Sequence, residues 1–435
     1  MSRFVYAGIA AIAVASLAAC SDAPVSPNKL DAPDDVVLSA NVGGGPEQVM
    51  AGEVIVKLKD MSGVDAVARE HGLAVGERGY KNTFVVMRGN AGSEHANANS
   101  LKSDARVEYA EPNYLRQIDA INPNLWAFYN PGGLNMRYTR GGSGFIPASY
   151  ASTSDADEDN IAGYVTTGTD VVIGSIDTGV DMTHPEFTGR LIAGRDWVNN
   201  DANPADDNGH GSHTTGTMAG STVGIAGVSG AASHVKVLVQ KVCGKRGCPT
   251  SAIVSAIRAA ADYPGMVAMN MSLGGSSESQ AEKDAITYAM SKNVVVVASA
   301  GNDGTGTVSC PACDPNAISV AASTWQDKLA SYSNWGSGLD ITAPGGQCYS
   351  NTTPEGCIYS AYKGGGYAWL QGTSMAAPQV TGTAGVVASV TGLRGTNLRA
   401  RLLSTADNIG DATHFGAGRL NTYRAVTNTS LPAGQ

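Results

Sequence analysis

Four apolar segments between residues 170 and 300 constrain the fold most, because they lack the regular polar alternation of a half-exposed strand. They are DVVIGSID (170–177), HVKVLVQKV (234–242), GMVAMNMSL (265–273) and NVVVVASA (293–300). Strands buried on both faces of a parallel sheet have this pattern. Helical spacing occurs between them, at 250–263 and at 279–293. This alternation predicts an α/β fold with a doubly wound, mostly parallel sheet.

Polar residues lie where the predicted strands end or a helix begins. Asp177 ends the first strand, Asn302 follows the strand at 293–300, and His210 lies where a helix should start. Each residue alone could serve a turn or a helix end. In a doubly wound sheet, however, ligands bind beyond the carboxyl ends of the strands. A carboxylate, an imidazole base and an amide donor at this one edge indicate catalysis.

Ser374, in the segment LQGTSMAAPQVTG (370–382), has two interpretations. Serine is a favoured N-cap, so its hydroxyl could satisfy an orphan amide of the helix that begins there. A helix N-terminus also offers N–H groups and positive potential where an anion could form beside a reacting serine. The segment alone favours the cap, whereas the presence of Asp177, His210 and Asn302 at the same edge favours the nucleophile.

The chain before residue 170 predicts a smaller unit and a linker. Residues 50–119 predict a small α+β, ferredoxin-like domain of order βαββαβ, with strands at 52–60, 82–89 and 106–115 and a helix at 62–72. Residues 120–168 are rich in Gly, Asn and Ser and allow no assignment, and the large domain is expected to span 120–435. The net charge of −9 and the 6% of aromatic residues argue against a nucleic-acid partner.

The N-terminus has the features of an export signal. Residues 1–19 contain an apolar segment too short to span a bilayer comfortably, which predicts a signal peptide. The sequence LAAC, ending at Cys20, resembles a bacterial lipobox and implies a lipid on that cysteine; ordinary cleavage after a small residue is the alternative. Residues 20–49 predict a flexible tether. An extracytoplasmic location follows.

The cysteines predict disulfides. Seven cysteines leave six once Cys20 is set aside, an even number that suits an oxidising compartment. The six form three close pairs: Cys243 with Cys248, Cys310 with Cys313, and Cys348 with Cys357. The spacing of CPAC (310–313) is also that of zinc ligands, but no second CxxC lies at a suitable distance. Local disulfides are therefore the favoured interpretation.

Four sequence blocks, in order, resemble the signatures of the subtilisin-like serine peptidases. They are IDTGVD, HGSHTTGT, SAGNDG and GTSMAAP. The order Asp, His, Ser is the one known for subtilisin. The resemblance covers residues 120–425 as a catalytic domain and about 50–118 as an inhibitory prodomain. A lipase would instead require a G-x-S-x-G elbow, which this sequence lacks. A scaffold protein on this fold should lack at least one catalytic residue, whereas Asp177, His210 and Ser374 are all present.

The resemblance implies a role for each residue of the site. Ser374 would attack the scissile carbonyl, His210 would accept its proton, and Asp177 would orient the imidazole. Asn302 and the amide of Ser374 would form the oxyanion hole. The edge that would pair with the backbone of a protein or peptide substrate consists of Ser272, Leu273 and Gly274. His184 and His213 are expected to be structural, and Thr214 and Thr215 replace a commoner apolar pair.

The resemblance also implies maturation, metal binding and assembly state. The prodomain would inhibit the enzyme until self-cleavage near Asp119 and Ala120 freed a soluble, monomeric protease from a lipid-anchored precursor. Calcium is the expected cofactor, with no organic one. Its candidate ligands are Asp340, with the carbonyls near Pro315 and Ala317, or the acidic segment SDADEDN (154–160).

Overall fold

The computed structural model describes residues 49–118, 168–220, 232, 234–324, 326–348 and 356–429. Several predicted features lie outside these residues: the signal peptide, Cys20, the tether, the acidic segment 154–160 and the cleavage position at Asp119 and Ala120. Among the helices that the structure describes, none has the length and the apolar character needed to cross a membrane.

The small domain has the predicted βαββαβ order. Its elements are β1 (Val49–Leu58), α1 (Val64–Glu70), β2 (Ala74–Arg78), β3 (Val85–Arg88), α2 (Glu94–Lys102) and β4 (Val107–Ile118). The strands pair antiparallel in the order β4-β1-β3-β2, the ferredoxin-like arrangement. Apolar residues of α1 and α2 pack on one face of this sheet and form the domain's own core. The strand without a predicted position, β2, is largely exposed.

The large domain is built on a seven-stranded parallel sheet, as predicted. Its strands, in the order β13-β12-β11-β9-β5-β7-β6, are β5 (Val171–Asp177), β6 (Leu191–Asp196), β7 (Val235–Lys241), β9 (Met266–Met271), β11 (Val295–Ser299), β12 (Ala317–Ser323) and β13 (Ile341–Pro344). Shorter strands are β8 (Cys248–Pro249), β10 (Leu273–Gly274), β14 (Ile358–Tyr362) and β15 (Gly366–Leu370). The last two form an antiparallel hairpin.

Helices cover both faces of the parallel sheet. They are α3 (His210–Ala219), α4 (Thr250–Ala261), α5 (Gln280–Ser291), α6 (Thr373–Thr391), α7 (Gly395–Ser404), α8 (Ala412–Phe415) and α9 (Thr422–Thr427). Successive residues of β5 face opposite sides: Val172 and Ile176 belong to the core under α4 and α5, while Val171 and Ile173 belong to the core around α6. This double burial explains why the strands are apolar throughout.

The second face of the small domain's sheet packs on α4 and α5. Ile55, Phe84 and Val86 are buried in the same apolar cluster as residues of those helices. The two domains therefore share a continuous core. Burial of this apolar area is the main favourable term for their association.

Two side chains of β4 satisfy the N-termini of these helices. Glu111 accepts hydrogen bonds from the amides of Gln280 (2.7 Å) and Ala281 (3.1 Å) at the start of α5. Asn113 accepts one from the amide of Ser251 (3.1 Å), in the first turn of α4. The N-cap residue of α4 makes no side-chain cap of its own. The small domain thus provides acceptors for amides that a helix leaves unpaired.

The end of β4 lies between two short strands of the large domain. Residues 115 and 116 pair antiparallel with β8, and residues 117 and 118 pair antiparallel with β10. In register, 118 is opposite Leu273 and 117 is opposite Gly274. The chain therefore runs toward Ser272 as it leaves the small domain.

All three predicted disulfides are present, Cys243–Cys248, Cys310–Cys313 and Cys348–Cys357. The first closes the loop that ends in β8. The second lies beside β10, because the backbone of Cys310 exchanges two hydrogen bonds with Gly275. Cysteines bonded to each other cannot act as thiolate ligands, so the zinc alternative does not hold for Cys310 and Cys313.

The cap by Glu111 predicts protection of the α5 N-terminus from hydrogen exchange. Replacing Glu111 with Ala leaves the amides of Gln280 and Ala281 without this acceptor, so in the intact chain they should exchange roughly 5- to 100-fold faster. Exchange measured by mass spectrometry tests this. Glu108→Ala is the matched control, because Glu108 lies on the same strand and its carboxylate accepts from the partly exposed Lys57 instead of from the helix amides. Unchanged exchange in Glu111→Ala would contradict the cap.

Candidate active site

Asp177 and His210 form a buried pair at the carboxyl edge of the sheet. The Nδ1 atom of His210 lies 2.7 Å from Oδ1 of Asp177, and the two side chains are only 3% and 1% exposed. Asp177 is the last residue of β5, and His210 is the first residue of α3. A carboxylate at Nδ1 holds the hydrogen on that nitrogen and leaves Nε2 as the basic atom.

The local sequence fixes where α3 begins. Gly209, its N-cap, has φ of 113°, in the left-handed region that favours glycine. A Cβ on Gly211 would come within 2.0 Å of the Gly179 carbonyl, so the first turn of α3 approaches the turn after β5 closely. Only a residue without a side chain permits this approach, which brings His210 next to Asp177.

Asp206 joins the two segments that carry the pair. Its carboxylate accepts hydrogen bonds from the Thr178 hydroxyl (2.8 Å), the Gly209 amide (2.8 Å) and the Ser212 amide (2.9 Å). Asp206 was not among the residues predicted for the site. The signal was there, because an aspartate three residues before a glycine is typical of a turn that its side chain closes.

The second carboxylate oxygen of Asp177 faces a threonine hydroxyl. Oγ1 of Thr214 lies 3.2 Å from Oδ2 of Asp177 and also 3.2 Å from the Gly211 carbonyl. The amide of Thr178 donates to the first oxygen, Oδ1, at 2.7 Å. The neighbouring Thr215 pairs instead with the hydroxyl of Ser175, at 2.8 Å. Of the two threonines that replace the commoner apolar pair, Thr214 thus contacts Asp177 itself.

Ser374 lies at the start of α6, but it does not cap the helix. The N-cap is Gly372, which makes no side-chain cap hydrogen bond, and Thr373 is the first helical residue. The capping interpretation of Ser374 is therefore wrong. Its side chain is in the first helical turn and is fully buried.

Pro378 explains a contact between Ser374 and the loop after β9. Proline has no N–H, so the carbonyl of Ser374, four residues earlier, lacks its usual helical donor. The hydroxyl of Ser272 donates to this carbonyl at 2.8 Å. In the opposite direction, Oγ of Ser374 lies 3.4 Å from the carbonyl of Ser272. The start of α6 is thereby joined to the segment that leads into β10.

The basic nitrogen of His210 is available on the side away from Asp177. Nε2 is buried, and no hydrogen-bond partner for it is found within the described part of the chain. The helix that carries His210, α3, packs against α6. Histidine and serine thus belong to adjoining helices, with the serine hydroxyl oriented toward Ser272 in this state.

Asn302 has a fixed orientation beside the start of α6. Its Oδ1 atom accepts hydrogen bonds from the amide (2.9 Å) and the hydroxyl (3.0 Å) of Thr373. An amide N–H can only donate, so the atom near Thr373 must be the oxygen. The NH₂ end of the Asn302 side chain consequently points away from Thr373, where it can donate a hydrogen bond.

The predicted substrate edge has a strand beside it. Leu273 and Gly274 form β10, which pairs with the end of β4, while Ser272 contacts Ser374. Asp177 ends β5, Ser272 follows β9 and Asn302 follows β11, and these three strands are neighbours in the sheet. The parallel direction of these strands brings all three residues to one edge.

The two other histidines of this region have structural contacts. His213 is fully buried, its Nε2 lies 3.2 Å from the carbonyls of Ile358 and Ala368, and burial lowers its pKa to about 3. His184 accepts from the amide of Glu186 through Nδ1 (3.2 Å) and donates through Nε2 to the Gly366 carbonyl (2.7 Å). Both histidines join the β14–β15 hairpin to the rest of the large domain.

The residues expected to bind calcium do not fit that ion. Arg399 donates to the carboxylate of Asp340 at 2.6 Å and to the carbonyl of Ala317 at 2.5 Å. A cation therefore already lies between two of the predicted ligands. Pro315 is exposed nearby. Asp340 is the ion-pair partner of Arg399, and the Ala317 carbonyl accepts a hydrogen bond from the same guanidinium.

Family models match both domains. Residues 168–418 match the subtilase family, and residues 37–113 match the fervidolysin N-terminal prodomain. The large domain described above thus corresponds to a protease domain. The small domain corresponds to a segment that precedes such a domain in fervidolysin.

Individual relatives agree with the protease assignment. A thermophilic serine proteinase of Bacillus sp. (strain AK1) is 36% identical over 404 residues, covering 90% of this chain and 91% of that protein. Thermitase of Thermoactinomyces vulgaris is 40% identical over 261 residues, covering 60% of this chain and 89% of thermitase.

A solved structure is similar over both domains. Fervidolysin from Fervidobacterium pennivorans, a keratinolytic enzyme related to subtilisin, superposes with a TM-score of 0.69 at 25% identity and covers 90% of this chain. This chain spans 63% of the fervidolysin chain. The match includes the parallel sheet and the antiparallel sheet that precedes it. The chain therefore belongs to the subtilase family and is a subtilisin-like serine protease with a fervidolysin-type N-terminal prodomain.

Proposed function

We propose that the chain is a secreted serine endopeptidase that cleaves peptide bonds through an Asp177–His210–Ser374 triad. The observation that carries this proposal is the buried 2.7 Å contact between Asp177 and His210, at the edge where α6 begins with Ser374. A buried carboxylate beside an imidazole has few structural reasons to exist, because both groups lose hydration. In a protease, such a carboxylate holds the imidazole in one tautomer, so that the histidine can act as a base through Nε2.

The reaction begins when Ser374 turns its hydroxyl from the Ser272 carbonyl toward Nε2 of His210. The imidazole accepts the proton while Oγ bonds to the scissile carbonyl carbon, giving a tetrahedral intermediate. The imidazolium then donates that proton to the leaving amine, and the acyl group remains bonded to Ser374. In the second half of the reaction, water attacks the acyl carbon while His210 accepts its proton, and His210 then returns a proton to Oγ of Ser374 as the ester bond breaks.

The oxyanion of each intermediate forms at the start of α6. The Asn302 amide is one donor, since Oδ1 is held by Thr373 and the NH₂ end is directed away from it. The backbone amide of Ser374, in the first turn of a long helix, is the second donor. Loss of one such donor typically raises the barrier by about 3–4 kcal/mol.

Substrate backbone binds between β8 and β10. The end of the prodomain already pairs antiparallel with both strands, which supports recognition of an extended peptide by main-chain hydrogen bonds. Ser272, Leu273 and Gly274 provide the edge on one side, and Cys248 and Pro249 provide it on the other. This mode suits protein substrates of varied sequence.

The precursor cleaves itself near Asp119 and Ala120. Residues 117 and 118 lie opposite Gly274 and Leu273, so continuing this register by one residue leads to Ser272. The carbonyl of Ser272 is 3.4 Å from the Ser374 hydroxyl. The chain that leaves the prodomain is thus directed at the nucleophile. After cleavage, the paired strand remains as a product-like inhibitor.

The triad and self-processing are tested together by Ser374→Ala. We expect the variant to accumulate as uncut precursor and to lose labelling by a fluorophosphonate probe, because both require the Ser374 oxygen. Processing is measured by mass spectrometry of the new N-terminus. Ser291→Ala, at an exposed serine of α5, is the control and should be processed and labelled normally. Normal maturation of Ser374→Ala would mean that another protease makes the cut.

Thr214 is expected to position Asp177. Thr214→Val removes a donor 3.2 Å from Oδ2 of Asp177 with little change in volume, and should lower kcat about 3- to 10-fold with KM unchanged. Thr214→Ser keeps the hydroxyl and should restore kcat. Thr215→Val is the matched control, because its hydroxyl contacts Ser175 and not Asp177. Equal losses of kcat in both valine variants would point to packing instead.

The precursor is anchored by lipid on Cys20 and the mature enzyme is released. The only covalent connection between Cys20 and the catalytic residues passes through the tether and the prodomain. Cleavage near residue 119 breaks this connection, while the intact precursor is held by its acyl chains, since two or more chains anchor stably.

Cell fractionation tests this order of events. Precursor of Ser374→Ala should remain in the membrane fraction and incorporate labelled fatty acid, whereas wild-type mature enzyme should be soluble once its prodomain is degraded. Cys20→Ser is the control and should yield unlabelled precursor outside the membrane fraction. Mature wild-type enzyme that stays with the membrane after prodomain loss would contradict release.

A further inference from the structure

Arg399 connects three elements at the place where the family resemblance suggested calcium. It lies on α7, and its two terminal nitrogens donate in different directions. Nη1 donates to the carbonyl of Ala317 in β12 at 2.5 Å, and Nη2 donates to Oδ1 of Asp340 at 2.6 Å. Asp340 directly precedes β13. One guanidinium thus joins a helix to two neighbouring strands.

The remaining oxygen of Asp340 is also occupied. Oδ2 accepts hydrogen bonds from the amide (3.0 Å) and the hydroxyl (3.2 Å) of Ser319. A calcium ion takes six to eight oxygen ligands at about 2.3–2.6 Å. Here the carboxylate and the Ala317 carbonyl already face hydrogens of the chain's own donors. A divalent ion on the same oxygens would in addition be repelled by the guanidinium.

We propose that Arg399 is a resident cation, which takes the place of a bound metal between Asp340 and Ala317. Both charged side chains are 19% exposed, so they are shielded from water far more than an ordinary surface pair. The planar fork of arginine can reach two acceptors at once, which the single ammonium of lysine does less well. The stability of this corner depends on Arg399 and not on free calcium.

A resident cation differs from a bound metal in one measurable respect. A bound ion stabilises the folded state by an amount that grows with its free concentration. A covalently attached guanidinium stabilises to the same extent at every calcium concentration. Any calcium that the protein binds elsewhere should therefore be unaffected by changes at Asp340.

The test uses the full-length Ser374→Ala protein, which avoids self-digestion during the measurement. Bound calcium is counted after equilibrium dialysis, and melting temperatures are compared in EGTA and in excess CaCl₂. Asp340→Asn should bind as many calcium ions as its parent and show the same calcium-induced shift. Arg399→Ala should melt roughly 2–6 °C lower in EGTA, and calcium should recover part of that loss.

Two controls separate this role from a general effect of α7. Arg401→Ala removes another arginine of the same helix, which donates to the Ala425 carbonyl and not to Asp340, and it should gain no calcium response. Adding Asp340→Asn to Arg399→Ala should abolish the gained response. A loss of bound calcium in Asp340→Asn alone would overturn the proposal. So would an Arg399→Ala protein that melts like its parent and gains no response to calcium.

Discussion

The burial of α6 from Thr373 to Ser389 is the constraint on which the proposed catalytic centre depends. Every residue of this helix from Thr373 to Ser389 is buried, and the helix packs on the parallel sheet and on α3, α7 and α9. Its close approach to the sheet requires small residues: a Cβ on Gly385 would lie 3.0 Å from Ile173 and from Val235. Ser374, the proposed nucleophile at its start, is therefore positioned by the whole core of the domain, and a change of packing far from Ser374 can displace it.

The other half of the site depends on the turn that joins β5 to α3. Asp177 belongs to a rigid strand, while His210 is held by the Asp206 turn and by the close approach at Gly211. Ser272 joins α6 to the segment that leads into β10, because its hydroxyl donates to the Ser374 carbonyl that Pro378 leaves without a helical donor. A proline in a helix, which ordinarily weakens it, here creates a specific link to the substrate edge.

The sequence predicted the elements with continuous runs of large apolar residues or with clear helical spacing. β5, β7, β9 and β11 are apolar strands of the first kind, and α4 and α5 have helical spacing, so each was located. β6 and β12 were not, since LIAGRD is mostly half-buried, while AISVAAS is buried at every position but has only two large apolar residues, Ile318 and Val320.

Contacts between residues distant in sequence could not be predicted from local patterns. Arg399 meets Asp340 across 59 residues, and Glu111 of the prodomain meets Gln280 across 169. A resemblance to a family assigns a role to Asp340, but it cannot reveal that the guanidinium of Arg399 lies between Asp340 and the Ala317 carbonyl. Only the folded arrangement brings the guanidinium there.

The Cys243–Cys248 bond has a consequence for where the enzyme can work. It closes the loop whose last residues are β8, one of the two strands that pair with the end of β4. Structural disulfides form in oxidising compartments, whereas the cytosol keeps thiols reduced. On the proposed function, the covalent closure of one substrate edge is therefore completed only outside the cytosol.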